Sequence, residues 1–561
     1  MLSPLSRFVA SSGLLIICLS AGAEQPSCEP AYPPGDQSLF NFVDTRKSVD
    51  YAALDGLPIK EIRYRVLPIF NEADQEEDIW PYRLLNRLHI ETRPGTLEKQ
   101  MIIEPGQPLD RQRLEENERL LRENDYLVDA MILPQQVCPD GVTLLVVVRD
   151  VWTLSPSASA SRSGGDNSTG AGLSEINLFG TGQRLSLGYF QDARRNGYGA
   201  AYRNSQLFGN HTEIDLNYFD TSDGELTGAA LERPFYQLDT RWTAGASYEY
   251  LDYTQTIEID DIAINEYQQE DTSRSVWTGW SPGLNDDHVH RFYLGYSDDE
   301  NRYLPVLNAP SVPPEDRRFK YPWLGWEYVE DRYWRTSNIT RSNRQEDIPL
   351  GTQIYVNLGY ASRSRGSTRE VWIGEMDASY TASFGDHHLM QFSVFGDGRY
   401  DVNRDAPDGL LFGTQAEYYY FISPLHRWYA RLRFDGGRNL EQDEQLTSGG
   451  GDTLRGYPSD IQRGNRRWLF TLERRRFTDI HLFNLAWLGG AAYVDVGRTT
   501  DTENPPLTDN RRTLSNLGLG LRLSPSKFRI ERVLHLDVAF PLVERDRVDD
   551  YQIILAARVD F

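Results

Sequence analysis

The stretch Tyr551-Gln552-Ile553-Ile554-Leu555-Ala556-Ala557-Arg558-Val559-Asp560-Phe561 decides the reading of the fold. Tyr551, Ile553, Leu555, Ala557, Val559 and Phe561 fall on one face of an extended strand. Gln552, Arg558 and Asp560 fall on the other, with Ile554 and Ala556 diluting it. A period of two with one apolar face marks a β-strand. The alternation recurs upstream in Arg184–Phe190, Thr212–Phe219, Trp242–Tyr250, His290–Tyr296, Gln353–Tyr360, Glu417–Phe421 and Trp428–Phe434. Turns dense in Asn, Asp and Gly separate the segments, as at Asp223-Gly224 and Asn285-Asp286-Asp287. Alternating segments of about ten residues joined by such turns are the pattern of an outer-membrane β-barrel. From about Thr153 to Phe561 no long helical periodicity survives, and the pattern count reaches up to twenty segments. A β-sandwich would also alternate, but some ~400 residues of it in one domain would be unusual.

Composition agrees. The chain has 561 residues, with Lys+Arg 58 against Asp+Glu 82 and a net charge of −24. That balance excludes a nucleic-acid binder, which needs a basic surface. Hydrophobic content of 39% and a mean hydropathy of −0.54 exclude a bundle of transmembrane helices. They leave a barrel open, because its strands average to a soluble-looking value. Aromatic content of 12% suits strands and interfacial girdles.

The N-terminus reads as an export signal over residues 1–23. Arg7 precedes the apolar run Gly13–Leu19, and Ala21-Gly22-Ala23 supplies small residues for cleavage before Glu24. Cys18 leaves with it. Cys28 and Cys138 remain, and an oxidising compartment permits either one disulfide between them or two free thiols.

Residues 24–56 are polar and contain Pro26, Pro30, Pro33 and Pro34, which reads as a tether. Residues 57–152 read as a small α+β domain. Ile59–Phe70 is a strand with Ile62, Tyr64 and Val66 on one face. Ile79–Ile90 places Leu84, Leu85 and Leu88 at helical spacing, and Thr96–Ile103 suits another short helix. Asp110 caps a helix to about Asn124 bearing Leu114, Leu120 and Leu121. Leu127–Leu133 and Val142–Val148 are strands, the second entered from the Asp140-Gly141 turn.

Gly449-Gly450-Gly451-Asp452-Thr453-Leu454-Arg455-Gly456-Tyr457 resembles the luminal-loop motif of the BamA/TamA-type outer-membrane assembly and secretion superfamily, the bacterial surface antigens with POTRA domains. Gly490–Gly497, with Asp495, resembles that family's next motif, and Leu536–Leu542 its penultimate strand. Residues 57–152 resemble a POTRA domain, including Pro105-Gly106 before the second helix. The resemblance implies a sixteen-strand barrel whose loop folds into the lumen between the eleventh and twelfth strands. Five strand segments follow the motif here: Arg467–Arg474, Leu485–Val496, Leu514–Leu523, Leu534–Leu542 and Tyr551–Phe561. The implied function is insertion or translocation of an unfolded polypeptide client, bound by a periplasmic POTRA-like domain and passed to a monomeric barrel in outer-membrane lipid. The barrel is expected to open or thin near its first/last strand junction. No catalysis, cofactor or metal is implied, and Phe561 serves as a barrel assembly signal. The alternative is a passive outer-membrane channel or receptor.

Strand parity adds an independent reading. Gly489, Ala491, Tyr493 and Asp495 share one face of their strand, and Leu488, Gly490, Ala492, Val494 and Val496 the other. On the preceding strand Arg467, Thr471 and Glu473 oppose Trp468, Phe470 and Leu472, with Leu469 the exception. If the aliphatic face meets lipid, Asp495 and Glu473 point inward as partners for Arg455, with Leu454, Gly456 and Tyr457 completing the loop motif. The run Arg474-Arg475-Arg476 reads as a solvated, headgroup-facing cluster. His288 and His290, and His387-His388, read as loop residues rather than metal ligands.

Overall fold

The computed structural model describes Tyr32 and residues 36–163, 166–191, 195–259, 262–307, 309–337, 339, 345–440, 444–502, 512–528 and 533–556. Residues 1–23, where an export signal is expected, and Cys28 and Phe561 lie outside them. Cys138 is disulfide-bonded.

The N-terminal domain is a three-stranded sheet with helices. Its elements are α1 (Phe42–Lys47), β1 (Ile59–Leu67), α2 (Trp80–Leu88), α3 (Pro94–Glu98), α4 (Arg111–Arg122), β2 (Leu127–Cys138) and β3 (Gly141–Asp150). The order is β1-β3-β2, with β1 parallel and β2 antiparallel to the central β3. Asp110 caps α4 by accepting from the Arg113 amide at 3.1 Å. At Gly141, φ is +142°, and a Cβ would sit 2.4 Å from the Pro58 carbonyl oxygen, so the turn requires glycine.

β3 is buried on both faces, which explains its unbroken Val/Leu run. Leu144, Val146 and Val148 pack with Leu97, Leu114 and Leu121 from the helices. Leu145 and Val147 pack on the opposite side with Leu39 and Phe42. Residues 36–54 are therefore not a tether: they form short helical turns that cover the back of the sheet. Sequence periodicity missed this because the buried apolar anchors among the described residues, Leu39, Phe42 and Leu54, follow neither a helical nor a strand spacing. In α2 the expected core assignment reverses for two residues. Tyr82 and Leu85 face inward, whereas Leu84 and Leu88 are exposed.

The rest of the chain is a barrel wall. Its first half comprises β4 (Leu154–Ser163), β5 (Asp166–Leu178), β6 (Gln183–Gln191), β7 (Asn196–Asn204), β8 (Glu213–Thr221), β9 (Gly224–Arg233), β10 (Trp242–Ile259), β11 (Ile262–Asn285), β12 (His288–Pro305), β13 (Arg317–Glu330) and β14 (Arg332–Ser337). It continues with β15 (Gln345–Ala361), β16 (Val371–Phe384), β17 (His388–Asp401), β18 (Ala406–Ser423) and β19 (His426–Arg438). A loop carrying the short strands β20 (Leu446–Ser448) and β21 (Gln462–Gly464) intervenes. β22 (Arg466–Leu482), β23 (Ala486–Thr500), β24 (Leu514–Pro525), β25 (Leu534–Pro541) and β26 (Gln552–Ala556) follow. Neighbours pair antiparallel, and the order returns from β26 to β4, where Leu555 lies opposite Arg162.

β13 and β14 both pair with β15, so they are one strand bent at Asp331. Among the described residues the wall then holds twenty strands, the upper end of the pattern count and not the family's sixteen. The four additional strands precede the loop, so it follows the fifteenth strand instead of the eleventh. Five strands come after it.

Outward faces are apolar. Leu517, Leu519 and Leu521 are exposed on β24 while Asn516 and Arg522 are buried inward. Trp280, Phe292, Leu294, Tyr296 and Leu324 continue this surface on β11 to β13. A soluble monomer rarely exposes a contiguous apolar surface of this kind, and a lipid-facing belt does.

The N-terminal domain sits against one end of the wall, here the proximal end. The Arg93 amide and the Thr96 hydroxyl donate to the Gly180 carbonyl, each at 2.9 Å. The Leu238 amide donates to Glu116 at 2.8 Å, and the Trp152 amide to the Lys527 carbonyl at 2.8 Å. Lys527 itself is buried beside Glu77, and burial pushes its ammonium down to about 8, with Arg149 adding to the effect.

The bent hairpin of β14 and β15 leaves the wall and crosses this mouth. Its Trp334, Ile339, Ile348 and Leu350 pack on Leu389, Tyr419, Phe421 and Tyr429, inner residues of β17 to β19. Trp334 meets Phe421 edge-on, with ring centroids 5.7 Å apart. Gly351, at φ +84°, allows the return bend. A buried charge cluster fixes the domain to the hairpin. Arg122 pairs with Asp347 at 2.7 Å, and Glu118 lies 3.2 Å from Arg46, 3.4 Å from Arg122 and 3.7 Å from Arg335. Glu118 also accepts from the Ile132 amide at 2.7 Å.

Replacing Glu118 with Ala leaves buried guanidinium groups and an amide short of an acceptor, at a cost of about 3–5 kcal/mol. The expected outcome of Glu118→Ala is faster hydrogen exchange of the β2 amides, Ile132 first. Unchanged protection of β2 would contradict this role.

Candidate functional site: a luminal loop held by Arg455

The loop between β19 and β22 is built for close approach. Gly449 adopts φ +114° and Gly450 φ +77°; a Cβ on Gly449 would lie 1.8 Å from the Pro458 carbonyl oxygen. Thr453 closes the turn, its hydroxyl donating to the Gly449 carbonyl at 2.7 Å. The Tyr457 amide donates to the Leu454 carbonyl at 3.0 Å, making a tight turn that presents Arg455 and Gly456. Leu454 and Tyr457 are fully buried with Leu469 and Leu514 of the wall. The Tyr457 hydroxyl donates to the Ser515 carbonyl at 2.8 Å. A Cβ on Gly456 would fall 2.5 Å from the Asn516 Cβ, so the backbone here touches β24 directly.

Arg455 is thereby set against the inner wall. Its Nε and Nη2 donate to the two Asp495 oxygens, each at 2.8 Å, and Nη1 donates to Glu473 at 3.2 Å. The guanidinium carbon lies 3.2 Å from the Tyr493 ring centroid. Asp495 is held from two further sides, accepting from the Thr471 hydroxyl and the Asn516 amide at 3.0 Å each. A bidentate guanidinium–carboxylate pair fixes orientation as well as charge.

The network extends beyond the residues that sequence singled out. Arg522 pairs with Asp537 and lies 3.5 Å from Glu473; Asp537 is 3.9 Å from Arg455. Arg475 donates to Glu473 at 3.1 Å and lies over the Tyr429 ring at 4.1 Å. Three carboxylates (Glu473, Asp495, Asp537) thus meet three guanidinium groups (Arg455, Arg475, Arg522). The headgroup reading of Arg474–Arg476 fails for the central residue. Arg475 has the parity of Glu473 and points inward, a signal that period two already carried. The far side of the loop is tied by Glu444, which accepts from Arg399 of β17 at 3.0 Å.

The histidines have aromatic surroundings. The His288 and His290 rings are 5.4 Å apart and edge-on, with His290 stacked on Trp326 at 6.0 Å. His388 stacks on Tyr420 at 5.0 Å. Among the described residues no group of three His, Cys, Asp or Glu could hold a metal ion.

No family model matches the chain, and no curated protein does. Solved structures give distant likenesses. CdiB from Escherichia coli is 14% identical with a TM-score of 0.44, covering 91% of this chain and 78% of that one. BamA from Haemophilus ducreyi lacking POTRA domains 1–3 is 14% identical with a TM-score of 0.37, covering 89% and 84%. The FrpB iron transporter from Neisseria meningitidis is 10% identical with a TM-score of 0.38, covering 74% and 82%. The chain is similar to outer-membrane β-barrels of more than one kind, and these values favour none of them.

Removing either partner of the Arg455–Asp495 pair leaves a buried charge uncompensated, at a cost of about 3–5 kcal/mol in a dry site. Arg455→Ala and Asp495→Ala are expected to lower the temperature at which the barrel unfolds on a heat-modifiability gel by similar amounts, with the double variant little worse. Fully additive shifts would mean the two residues act separately.

Proposed function

We propose that the chain is an outer-membrane barrel that inserts or translocates polypeptide, with a POTRA-like N-terminal domain in the periplasm receiving the client. The proximal end is then the periplasmic mouth. The observation that carries this reading is the occupied lumen: the Arg455 loop is anchored inside it, and the β14–β15 hairpin crosses its mouth beneath the domain. A permanently open pore would not be obstructed at both halves, whereas a barrel that admits a client on demand would be.

The domain's sheet has two edges, and they differ. On β2 the Ala130 carbonyl accepts from Arg46 at 2.8 Å and from Arg122 at 3.0 Å. The Ile132 carbonyl accepts from Tyr51 at 3.0 Å, and the Ile132 amide is taken by Glu118. Side chains therefore blunt that edge. An extended client would add at β1, where main-chain bonds give affinity and alternate side chains give selectivity. The client would then pass to the barrel at the junction of β26 and β4. The role requires no catalytic residue and no cofactor, and a single barrel suffices.

Depleting the protein should leave particular outer-membrane or secreted proteins missing, and a photo-crosslinker at Arg63 of β1 should capture them. Normal levels of all such proteins, with only solute permeability reduced, would favour the passive channel or receptor. Capture from Val137 of β2 instead of Arg63 would reverse the edge assignment.

A further inference from the structure

Helix α2 has two apolar sides. Its inner side, Tyr82 and Leu85, packs with Ile69, Phe70, Trp152 and Leu485. Asn86 completes that side, accepting from the Phe70 amide at 3.1 Å. The opposite side carries Trp80, Leu84 and Leu88, which recur every fourth residue and so lie in one row. They are 71%, 46% and 62% exposed. Ile79 and Ile90 extend the row at both ends and are also exposed. Arg83 and Arg87 flank it. A row of large apolar side chains open to water on a nine-residue helix needs a cover.

The row runs between two turns of the barrel's proximal end. At one end the Tyr82 hydroxyl donates to the Phe483 carbonyl, and the turn between β22 and β23 exposes Ile480 and Phe483. At the other, Arg93 holds Gly180, and the turn between β5 and β6 exposes Phe179. The strands between these turns are β24, β25, β26 and β4, which include the junction of the last strand with the first. The segment carrying the row is therefore tied at both ends to proximal turns that expose apolar side chains, one on either side of the junction.

We propose that the Trp80–Leu84–Leu88 face of α2 docks into the periplasmic leaflet of the outer membrane at the foot of the β26–β4 junction. Tryptophan and leucines would enter the headgroup–acyl boundary, and Arg87 would meet lipid phosphate while Arg83 stays paired with Asp78 at 3.2 Å, the arrangement of an interfacial amphipathic helix. The lipid, rather than a protein partner, fits because the row lies between barrel turns that themselves expose Phe179, Ile480 and Phe483, and because Arg87 stands beside it. Docking would fix the domain's tilt against the bilayer and place bulky side chains in the leaflet where the junction meets lipid.

This inference rests on the outer-membrane reading of the barrel, and the test separates the two. The full mature chain is reconstituted in vesicles of phosphatidylethanolamine and phosphatidylglycerol. An environment-sensitive fluorophore is attached at Leu84→Cys, at Leu519→Cys on the outer wall, or at Glu104→Cys beside the start of β1. Cys138 is disulfide-bonded and does not compete for label. Spin-labelled lipid should remove most of the emission at 84 and 519 and little at 104, and aqueous iodide should do the reverse. Lipid quenching at 519 without quenching at 84 overturns the docking, whether iodide reaches 84 or a second protein shields it. Absence of lipid quenching at 519 overturns the barrel reading itself. Leu84→Gln/Leu88→Gln, at exposed positions, should leave folding intact and abolish protection from iodide of a fluorophore at Trp80→Cys.

Discussion

A guanidinium held away from water by two carboxylates is the constraint on which the distal half of the barrel depends. Arg455 cannot leave Asp495 and Glu473 without stranding buried charge, so the loop that carries it must stay inside the wall. Everything nearby conforms to that requirement. Gly456 lets the backbone touch β24, and Leu454 and Tyr457 bury beside Leu469 and Leu514. Gly489 and Ala491 leave room on the inner face of β23, and Thr471 and Asn516 use the remaining acceptor capacity of Asp495. The pair contributes more to specificity of arrangement than to net stability, since desolvation offsets much of its attraction.

The proximal end uses the same kind of interaction for a different purpose. Arg46, Arg122 and Arg335 converge on Glu118 and Asp347 and join four separate segments: the N-terminal wrap, α4, β14 and β15. Apolar packing then seats the hairpin across the mouth, with Ile339 and Trp334 against Tyr419 and Phe421. The two obstructions sit one at each half of the lumen, and Arg475, paired with Glu473 and lying over Tyr429, stands between their anchors. From the domain side the hairpin comes first and the loop lies beyond it.

Period two made the wall legible. The parity that separates Leu517, Leu519 and Leu521 from Asn516 and Arg522 is visible in the sequence, and the pattern count reached twenty where the resemblance implied sixteen. Parity also placed Asp495 and Glu473 on inner faces, and would have placed Arg475 there had the run of three arginines been split by alternation. What sequence could not show was which polar residues meet across long separations. Arg46 and Gln345, or Tyr82 and Phe483, have no local signature. The hairpin of β14 and β15 alternates like any wall strand, so nothing local marks its departure at Asp331. The apolar row of α2 had the spacing of a core stripe. The protein instead buries Tyr82 and Leu85 and leaves that row exposed.

The central claim is that the loop lies within the wall in contact with β24 at Gly456. It is tested most directly by a disulfide between Gly456→Cys and Asn516→Cys in the outer membrane of intact cells. A Cβ built on Gly456 lies 2.5 Å from that of Asn516, so a shift of about 1 Å brings the pair to the ~3.8 Å of a relaxed bridge. The account predicts that mild oxidation joins the two cysteines, consumes both thiols and leaves the barrel folded. Two thiols that stay free and react with an impermeant reagent would place the loop outside the lumen and contradict it.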